Sequence, residues 1–145
     1  MTVAQLLKHD FNKGALSLYD AGGNRIYTEW SNGFWYKKEY DNNGNQIYYG
    51  DSRGFWYKNE YDSNGNVIYH AYSDGYWYKK EYDTNGNLIH YENSTGFWCK
   101  KGYDSNGNEI YYENSYGRII DKRPKESCDG KVVEIDGKQY KLSEV

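Results

Sequence analysis

The stretch GFWYKKEYDNNGNQIYYG, residues 33–50, decides the fold because the chain goes on to repeat it. The same pattern returns every 21 residues as GFWYKNEYDSNGNVIYHA, GYWYKKEYDTNGNLIHYE and GFWCKKGYDSNGNEIYYE. A weaker copy, LSLYDAGGNRIYTE, precedes the four full ones in the same phase. The stretch is therefore one unit of a repeat array, and any function is expected to belong to the array as a whole.

Each repeat predicts a β-hairpin followed by a second turn. The segment FWYKKEY is dense in residues that favour strands, and D-x-N-G-N supplies a turn with glycine for positive φ. A second short strand and an S-x-G turn complete the 21 residues. We predict an all-β fold, an antiparallel meander of five imperfect hairpin repeats that forms a twisted, elongated sheet of ten to twelve strands with terminal caps.

The predicted boundaries follow from where the repeat stops. Residues 1–14 form an N-terminal cap that includes a short helix, and residues 15–117 form the array. Residues 118–145 form a C-terminal segment whose hairpin, around Asp136-Gly137, caps the last strand. Pro124 lacks an amide donor, and we expect it to end the sheet or lie at its edge.

The turn type decides which side chains share a face. A two-residue turn at Asn43-Gly44 pairs Tyr40 with Ile47 and separates apolar from polar side chains well, so we favour it. A three-residue turn with a glycine bulge instead places Ile47 beside Glu39 and Trp35. In both cases aromatic residues lie on both faces of the sheet, because they occupy adjacent positions in the strand.

Composition predicts a thin, amphipathic structure. Leu, Ile, Val and Phe total only 23 of 145 residues, whereas Tyr alone contributes 19, and the net charge is −3.

Residues 1–10 lack the apolar run of a signal peptide, and no segment is apolar enough to span a membrane. We expect a cytoplasmic protein, in the host cytoplasm if it is encoded by a phage. Cys99 and Cys128 should be free thiols. Secretion by a route without a classical signal stays open.

Catalytic and metal sites are not expected. His70 aligns with Tyr49 and His90 with Tyr48, so the two imidazoles should face opposite sides, and His9 is isolated. Glycine is fourth in D-x-N-G-N, whereas a calcium-binding EF-hand loop places it sixth. Residues 76–96 hold two lysines against three acidic residues, which disfavours nucleic acid as a partner. We predict a protein that is not an enzyme and that needs no cofactor.

The turn motif resembles the YD repeats of RHS-type proteins. The matching residues are Tyr40-Asp41 with Gly44, Tyr61-Asp62 with Gly65, Tyr82-Asp83 with Gly86, and Tyr103-Asp104 with Gly107. Large members of that family form β-sheet shells around toxins, and shorter repeats are associated with carbohydrate or surface binding. The WY…NSxG rhythm is also similar to choline- and glucan-binding repeats of cell-wall proteins, in which aromatic residues cage ligands between hairpins. Neither resemblance implies a catalytic residue.

Rows of Trp, Lys and Glu on one face carry the functional prediction. One interpretation is structural: a ladder of Lys–Glu pairs with the lysine stems packed over indoles that lie about 10 Å apart. The other is an aromatic track for a partner. The candidate partner-binding residues are Trp35, Trp56, Trp77, Trp98, Tyr36, Tyr57, Tyr78, Lys37, Lys58 and Lys79.

Three functions follow from this track. The leading one is a non-enzymatic module that binds a protein, for example a phage or mobile-element protein that inhibits a host defence protein stoichiometrically. The alternative is a protein that binds glycans or the cell wall. A further alternative is a structural sheet unit that assembles with copies of itself into homo-oligomers.

Overall fold

The computed structural model describes residues 1–124 and 129–143. A short helix, α1 (Val3–Leu7), and a 3-10 turn (Phe11–Lys13) precede the strands. The strands are β1 (Leu16–Tyr19), β2 (Arg25–Glu29), β3 (Trp35–Tyr40), β4 (Gln46–Asp51), β5 (Trp56–Tyr61), β6 (Val67–Tyr72), β7 (Trp77–Tyr82), β8 (Leu88–Asn93), β9 (Trp98–Tyr103), β10 (Glu109–Asn114), β11 (Ile119–Asp121), β12 (Val132–Ile135) and β13 (Lys138–Lys141).

The strands form the predicted antiparallel meander. Strands β1 to β11 pair in chain order in one 11-stranded sheet, and β12 and β13 form a separate two-stranded sheet. The large sheet is open, and β11 ends three residues before Pro124. Across the described ranges, no helix has the length and apolar character needed to cross a membrane. The all-β prediction is confirmed, and the 11 strands of the large sheet lie within the predicted ten to twelve.

The turn inside each hairpin has three residues, so the favoured two-residue turn is wrong. The Gly44 amide donates to the Asp41 carbonyl at 3.1 Å, and the Asp41 amide donates to the Asn45 carbonyl at 2.9 Å. Gly44 adopts a φ of 85°, which forms a glycine bulge. Tyr40 consequently lies opposite Gln46 and not Ile47.

A carboxylate explains why the three-residue turn forms rather than the two-residue turn. Oδ1 of Asp41 accepts the amides of Asn43 and Asn45, at 2.9 and 2.8 Å, and its Oδ2 accepts the Asn45 side-chain amide at 3.0 Å. These bonds satisfy the polar groups of the turn itself and link the aspartate to the asparagine that follows four residues later. The same Asp–Asn geometry recurs at Asp62, Asp83 and Asp104.

A second bulge in the following strand decides the position of the isoleucine. Tyr40 pairs with Gln46, whereas Glu39 pairs with Tyr48, so Ile47 is the extra residue of β4. A bulge of this kind turns two successive side chains towards the same face of the sheet. Ile47 therefore lies with Glu39 and Tyr48, as the three-residue alternative required.

Successive repeats are offset along the strand direction. Lys37 lies opposite Gly50, and Gly50 lies opposite Trp56, yet the repeat equivalent of Lys37 is Lys58, two residues further on. Two residues amount to about 6.7 Å along a strand, and two strand spacings to about 9.6 Å across it. Equivalent residues are therefore about 12 Å apart, rather than the 10 Å expected without an offset.

The large sheet has almost no buried apolar core. Ala4 and Cys99 are the only buried hydrophobic residues in the part of the chain that the structure describes. The other buried side chains are polar or charged, namely Thr28, Glu29, Asp51, His70 and Asn114. The sheet is thus held by contacts between neighbouring side chains on each of its faces, many of them aromatic, and not by packing against a second layer.

Candidate binding surface

The predicted partner-binding residues divide between the two faces of the sheet. Tyr49 lies opposite Tyr57, and Tyr48 lies opposite Lys58, which fixes the side on which each strand position points. We call the side with Trp35, Trp56, Trp77, Trp98, Lys37, Lys58 and Lys79 the tryptophan face. The opposite side, with Tyr36, Tyr57 and Tyr78, is the tyrosine face. A flat partner cannot contact all ten residues at once.

The tyrosine face carries a continuous stack of rings across six strands. In order along the sheet, the stacked rings are those of Tyr36, Tyr49, Tyr57, His70, Tyr78 and Tyr91. Successive ring centroids are 5.8, 5.3, 5.5, 5.1 and 5.9 Å apart. Because neighbouring rings in the stack cover each other's faces, their edges and hydroxyl groups are what this row offers to a ligand.

A buried thiol extends this stack. Cys99 pairs directly with Tyr91 and replaces the tyrosine of the other repeats. Its side chain is buried, it forms no disulfide, and burial raises the pKa of the thiol. Cys99 is thus a free thiol, as predicted, in an environment that favours packing over reactivity. The prediction for Cys128 falls outside the described residues.

A second aromatic row on the tyrosine face was not predicted. It comprises Trp30, Phe34, Phe55, Tyr72, Tyr76 and Phe97, which flank the S-x-G turns, and Tyr116, which lies within the last of these turns. Trp30 is 37% exposed, Phe55 39% and Tyr116 81%. The buried Asp51 carboxylate interrupts the row and accepts from Arg53, whose Nη2 lies 2.7 Å from Oδ2. The signal in the sequence was an aromatic residue directly after the turn glycine.

On the tryptophan face, lysines lie over the indoles. The Nζ atoms of Lys58, Lys79 and Lys100 are 5.5 to 5.6 Å from the ring centroids of the tryptophans two residues before them. Lys79 also lies 3.5 Å from Glu92 of the neighbouring strand. These are the contacts that the structural interpretation of the Trp-Lys-Glu rows predicted, and they leave the indoles only half-buried.

Two hollows repeat along the tryptophan face with the period of the sequence. The larger has a volume of about 500 Å³ and is lined by Glu60, Ile68, Tyr69, Lys79, Lys80 and Glu81. The other, of about 220 Å³, is lined by Glu39, Ile47, Tyr48, Lys58, Asn59, Glu60 and Tyr69. Glu60 belongs to both hollows and is exposed. Sequence analysis missed the hollows because the bulge that turns Ile47 and Ile68 to this face was not expected.

The N-terminal end of the tryptophan face is covered by the chain itself. Oε2 of the buried Glu29 accepts the Ala4 amide of α1 and the Tyr27 hydroxyl, each at 2.9 Å. Burial, together with the bond to Glu29, raises the pKa of Tyr27 to about 12. Tyr27 stacks on Trp35 at 6.0 Å. Trp35 is therefore partly enclosed by α1 and β2, unlike Trp56 and Trp77 in the middle of the array.

The histidines lie on opposite faces, as predicted. His70 belongs to the stack on the tyrosine face, whereas Nδ1 of His90 lies 3.5 Å from Glu81 on the tryptophan face. In residues 1–124 and 129–143, no group of three or more His, Cys, Asp or Glu side chains is arranged to hold a metal ion.

Comparison with known proteins identifies relatives of the fold alone. No protein-family model matches the sequence, and no curated protein matches it. Solved structures do match: the Photorhabdus luminescens Tc holotoxin pore covers 70% of this chain at 18% identity, with a TM-score of 0.53. The TcdB2–TccC3–TEV and TcdB2–TccC3–Cdc42 crystal structures give TM-scores of 0.54 and 0.52, also at 18% identity.

The likeness is limited to a small part of those toxin chains. This chain corresponds to 5% of the length of each matched chain. At 18% identity the match shows that the repeat array has the same fold. It is consistent with the resemblance to RHS-type repeats and transfers no activity or partner.

Proposed function

We propose that this chain is a non-enzymatic repeat module that binds a protein partner through the tryptophan face. The observation that carries the proposal is the pair of hollows lined by the same repeat positions 21 residues apart. Each hollow combines an isoleucine and a tyrosine with carboxylate and ammonium groups. This mixture of apolar anchors and a charged rim is typical of protein interfaces.

The middle of the array is the part of this face best suited to a partner. At its N-terminal end, residues 1–3 line a hollow of about 390 Å³ together with Trp35, so the chain's own N-terminus limits access to that indole. Trp56 and Trp77 are half-buried, have lysines rather than other protein segments over their rings, and lie next to the hollows. Tryptophan and tyrosine are enriched among the residues that dominate binding energy. Two or more equivalent sites also raise affinity when one partner reaches them together.

The tryptophan face is close to charge balance, which favours a protein over a polyanion. Lys37 lies 3.5 Å from Glu39, and Lys79 lies 3.5 Å from Glu92. A nucleic-acid surface needs an excess of positive charge along its track. As a partner class we propose a host defence protein, bound stoichiometrically by a phage or mobile-element protein. This choice rests on the repeats of residues 15–117, which offer several equivalent contacts to one partner.

Charge reversal at Glu60 is the sharpest test, because this exposed side chain belongs to both hollows. Wild-type protein and the Glu60→Arg variant are used to capture partners from a bacterial lysate, and the captured protein is then titrated against each. We expect at least tenfold weaker binding by Glu60→Arg, with an unchanged melting temperature. The matched control is Glu134→Arg in the separate two-stranded sheet.

Trp77→Ala supplies a second, independent variant. Truncation of a fully buried aromatic costs roughly 3–5 kcal/mol, so a half-buried indole should cost less and leave the sheet folded. Folding is checked by circular dichroism before binding is measured. Full-strength binding by folded Trp77→Ala and by Glu60→Arg would refute the tryptophan face as the site.

Two other functions have an observation in their favour. The half-exposed indoles suit a glycan, and a glycan array probed with the same variants would detect binding that is lost in Trp77→Ala. The open edges at β1 and β11 suit edge-to-edge assembly. Sedimentation at increasing protein concentration would reveal such oligomers, and a monomer throughout would exclude them.

A further inference from the structure

One hairpin in the middle of the sheet departs from the repeat at two positions that contact each other. In three hairpins a lysine lies directly opposite a tyrosine on the tyrosine face: Lys38 and Tyr49, Lys80 and Tyr91, Lys101 and Tyr112. In the β5–β6 hairpin the same two positions hold Asn59 and His70, which also lie opposite each other. The side-chain oxygen of Asn59 is hydrogen-bonded to Nδ1 of His70.

His70 is enclosed by aromatic rings. Its imidazole stacks between Tyr57, at 5.5 Å and 23°, and Tyr78, at 5.1 Å and 9°. Tyr72 meets it edge-on, with ring centroids 4.2 Å apart. The residue is only 9% exposed, and within the described part of the chain its Nε2 has no hydrogen-bond partner. A buried imidazole nitrogen without a partner calls for a physical explanation.

The surroundings of His70 favour its neutral form. The groups that face it are the Tyr57 ring and the Asn59 amide on β5, the Tyr78 ring and the Lys80 ammonium on β7, and Tyr72 on its own strand. Burial lowers the pKa of His70, and the positive charge of Lys80 lowers it further. Tyrosine ring faces attract cations, which acts in the opposite direction. A protonated Nε2, however, would be a buried donor without an acceptor.

We propose that the Asn59–His70 pair makes the β5–β6 hairpin an acid-sensitive joint. Protonation of His70 breaks the ring contacts among β5, β6 and β7, while the hairpins on either side stay folded. This would be a conformational response of the chain, separate from the partner-binding role proposed for the tryptophan face.

The pH window follows from the sign of the shift. Because the folded chain holds the proton more weakly than the unfolded one, the contribution of His70 to stability is complete above about pH 6.5. It decreases as the pH falls from there through the lower pKa of the folded state. The turn aspartates, whose pKa values lie below the usual 3.8, respond only at more acidic pH. As the pH falls, the ring contacts around His70 should therefore break before the turns held by the aspartates weaken.

Hydrogen exchange resolved by residue tests this proposal at pH 7.5 and pH 5.5, after correction for the intrinsic exchange rates. We expect protection in β5, β6 and β7 to fall more than in β3 and β9. Each pH unit between the unfolded-state and the folded-state pKa of His70 can lower this protection by up to about tenfold. The matched variant combines Asn59→Lys with His70→Tyr, which restores the pattern of the other hairpins and should abolish the acid response. His90→Tyr, on the other face, should preserve it.

Two results would overturn the proposal. The first is an equal loss of protection at pH 5.5 in the restored variant. The second comes from NMR titration of the natural chain and does not depend on any variant folding: a His70 pKa at or above about 6.5 would show that the tyrosine faces stabilise the imidazolium.

Discussion

At the scale of single residues, the half-buried turn aspartates do more for this fold than their position in surface turns suggests. Asp62 accepts the amides of Asn64 and Asn66, at 2.9 Å each, and the Asn66 side-chain amide at 3.0 Å. The Asn66 side-chain amide is the main reason why the pKa of Asp62 lies below its usual value. A charged acceptor is thus part of the turn, and its loss should be measurable.

We predict that Asp62→Asn destabilises the protein at pH 7. Asparagine has one acceptor oxygen and an amide group that cannot accept from Asn66, and it lacks the charge. The contribution of Asp62 is complete above about pH 3.8 and is lost as the pH falls through the lower folded-state pKa. The variant and the wild type should therefore differ in melting temperature at pH 7 and converge near pH 2.

The control for this prediction is Asp74→Asn, at a different position of an S-x-G turn. Asp74 accepts one amide, that of Tyr76. Its replacement should change the melting temperature less at pH 7. A difference between Asp62→Asn and wild type that stays constant from pH 7 to pH 2 would contradict the role of the charge.

At the scale of elements, α1 is attached to the sheet by a buried carboxylate. Glu29 is 3% exposed. Its burial raises the pKa, but bonds from Thr2, the Ala4 amide and Tyr27 are together stronger, so that the pKa lies below its usual value. The helix has only five residues, too few to be stable alone, and therefore depends on this contact.

Glu29→Ala should release α1 from the sheet. Hydrogen bonds to charged groups contribute about 1.5–3 kcal/mol each, and the cost of burying the carboxylate offsets part of the three bonds to Glu29. We therefore expect at least about 2 kcal/mol of destabilisation and loss of exchange protection in residues 3–9. The matched control is Glu113→Ala at the equivalent repeat position. Glu113 accepts from the Tyr111 hydroxyl at 2.7 Å but contacts no helix. If residues 3–9 keep their protection in Glu29→Ala, the contact is not what holds α1.

The hairpins show what the sequence could and could not predict. The 21-residue period and the turn glycines predicted strands β1 to β10 of the large sheet and placed Trp35 and Tyr36 on opposite faces. They did not predict the register, because both turn lengths place a glycine at positive φ. The carboxylate bonds of Asp41 and the bulge at Ile47 decided it, and both depend on contacts across the hairpin.

At the scale of the whole molecule, the sheet is a single layer whose stability comes from neighbouring strands. Such an array is approximated by a sum of repeat terms and interface terms. The repeats should therefore be removable as units, provided that the alternation of faces is preserved on both sides of the cut. A deletion series tests this.

Removing residues 80–100, one full period, should leave a folded sheet with two fewer strands. At 0.05–0.15 kcal/mol per residue, the loss of 21 residues should lower the free energy of unfolding by about 1–3 kcal/mol. Removing residues 80–99 leaves one extra residue in the strand, which turns the following side chains to the opposite face, so this variant should not fold. Urea unfolding followed by circular dichroism compares them. Equal stability of the two deletions would contradict the two-face architecture.

The candidate site was only partly predictable for the same reason. Alternation correctly separated the tryptophans from the tyrosines within the first strand of each hairpin. The hollows beside Tyr48 and Tyr69 require the bulges, and the His70 environment requires the pairing of β5, β6 and β7. In the sequence, Asn59 and His70 are two separate exceptions, and only the register makes them one contact.

The offset of two residues per repeat gives equivalent groups on the tryptophan face a fixed spacing along a diagonal of the sheet. Equivalent groups lie on a line about 35° away from the perpendicular to the strands and recur about every 12 Å along it. A stiff linear partner must follow this diagonal and present its own groups at the same interval. A mismatch of about 1 Å per step grows to about 3 Å between the first and fourth tryptophans, comparable to a hydrogen-bond length. The number of repeats therefore determines how closely the spacing of groups on such a partner must match the spacing on the tryptophan face.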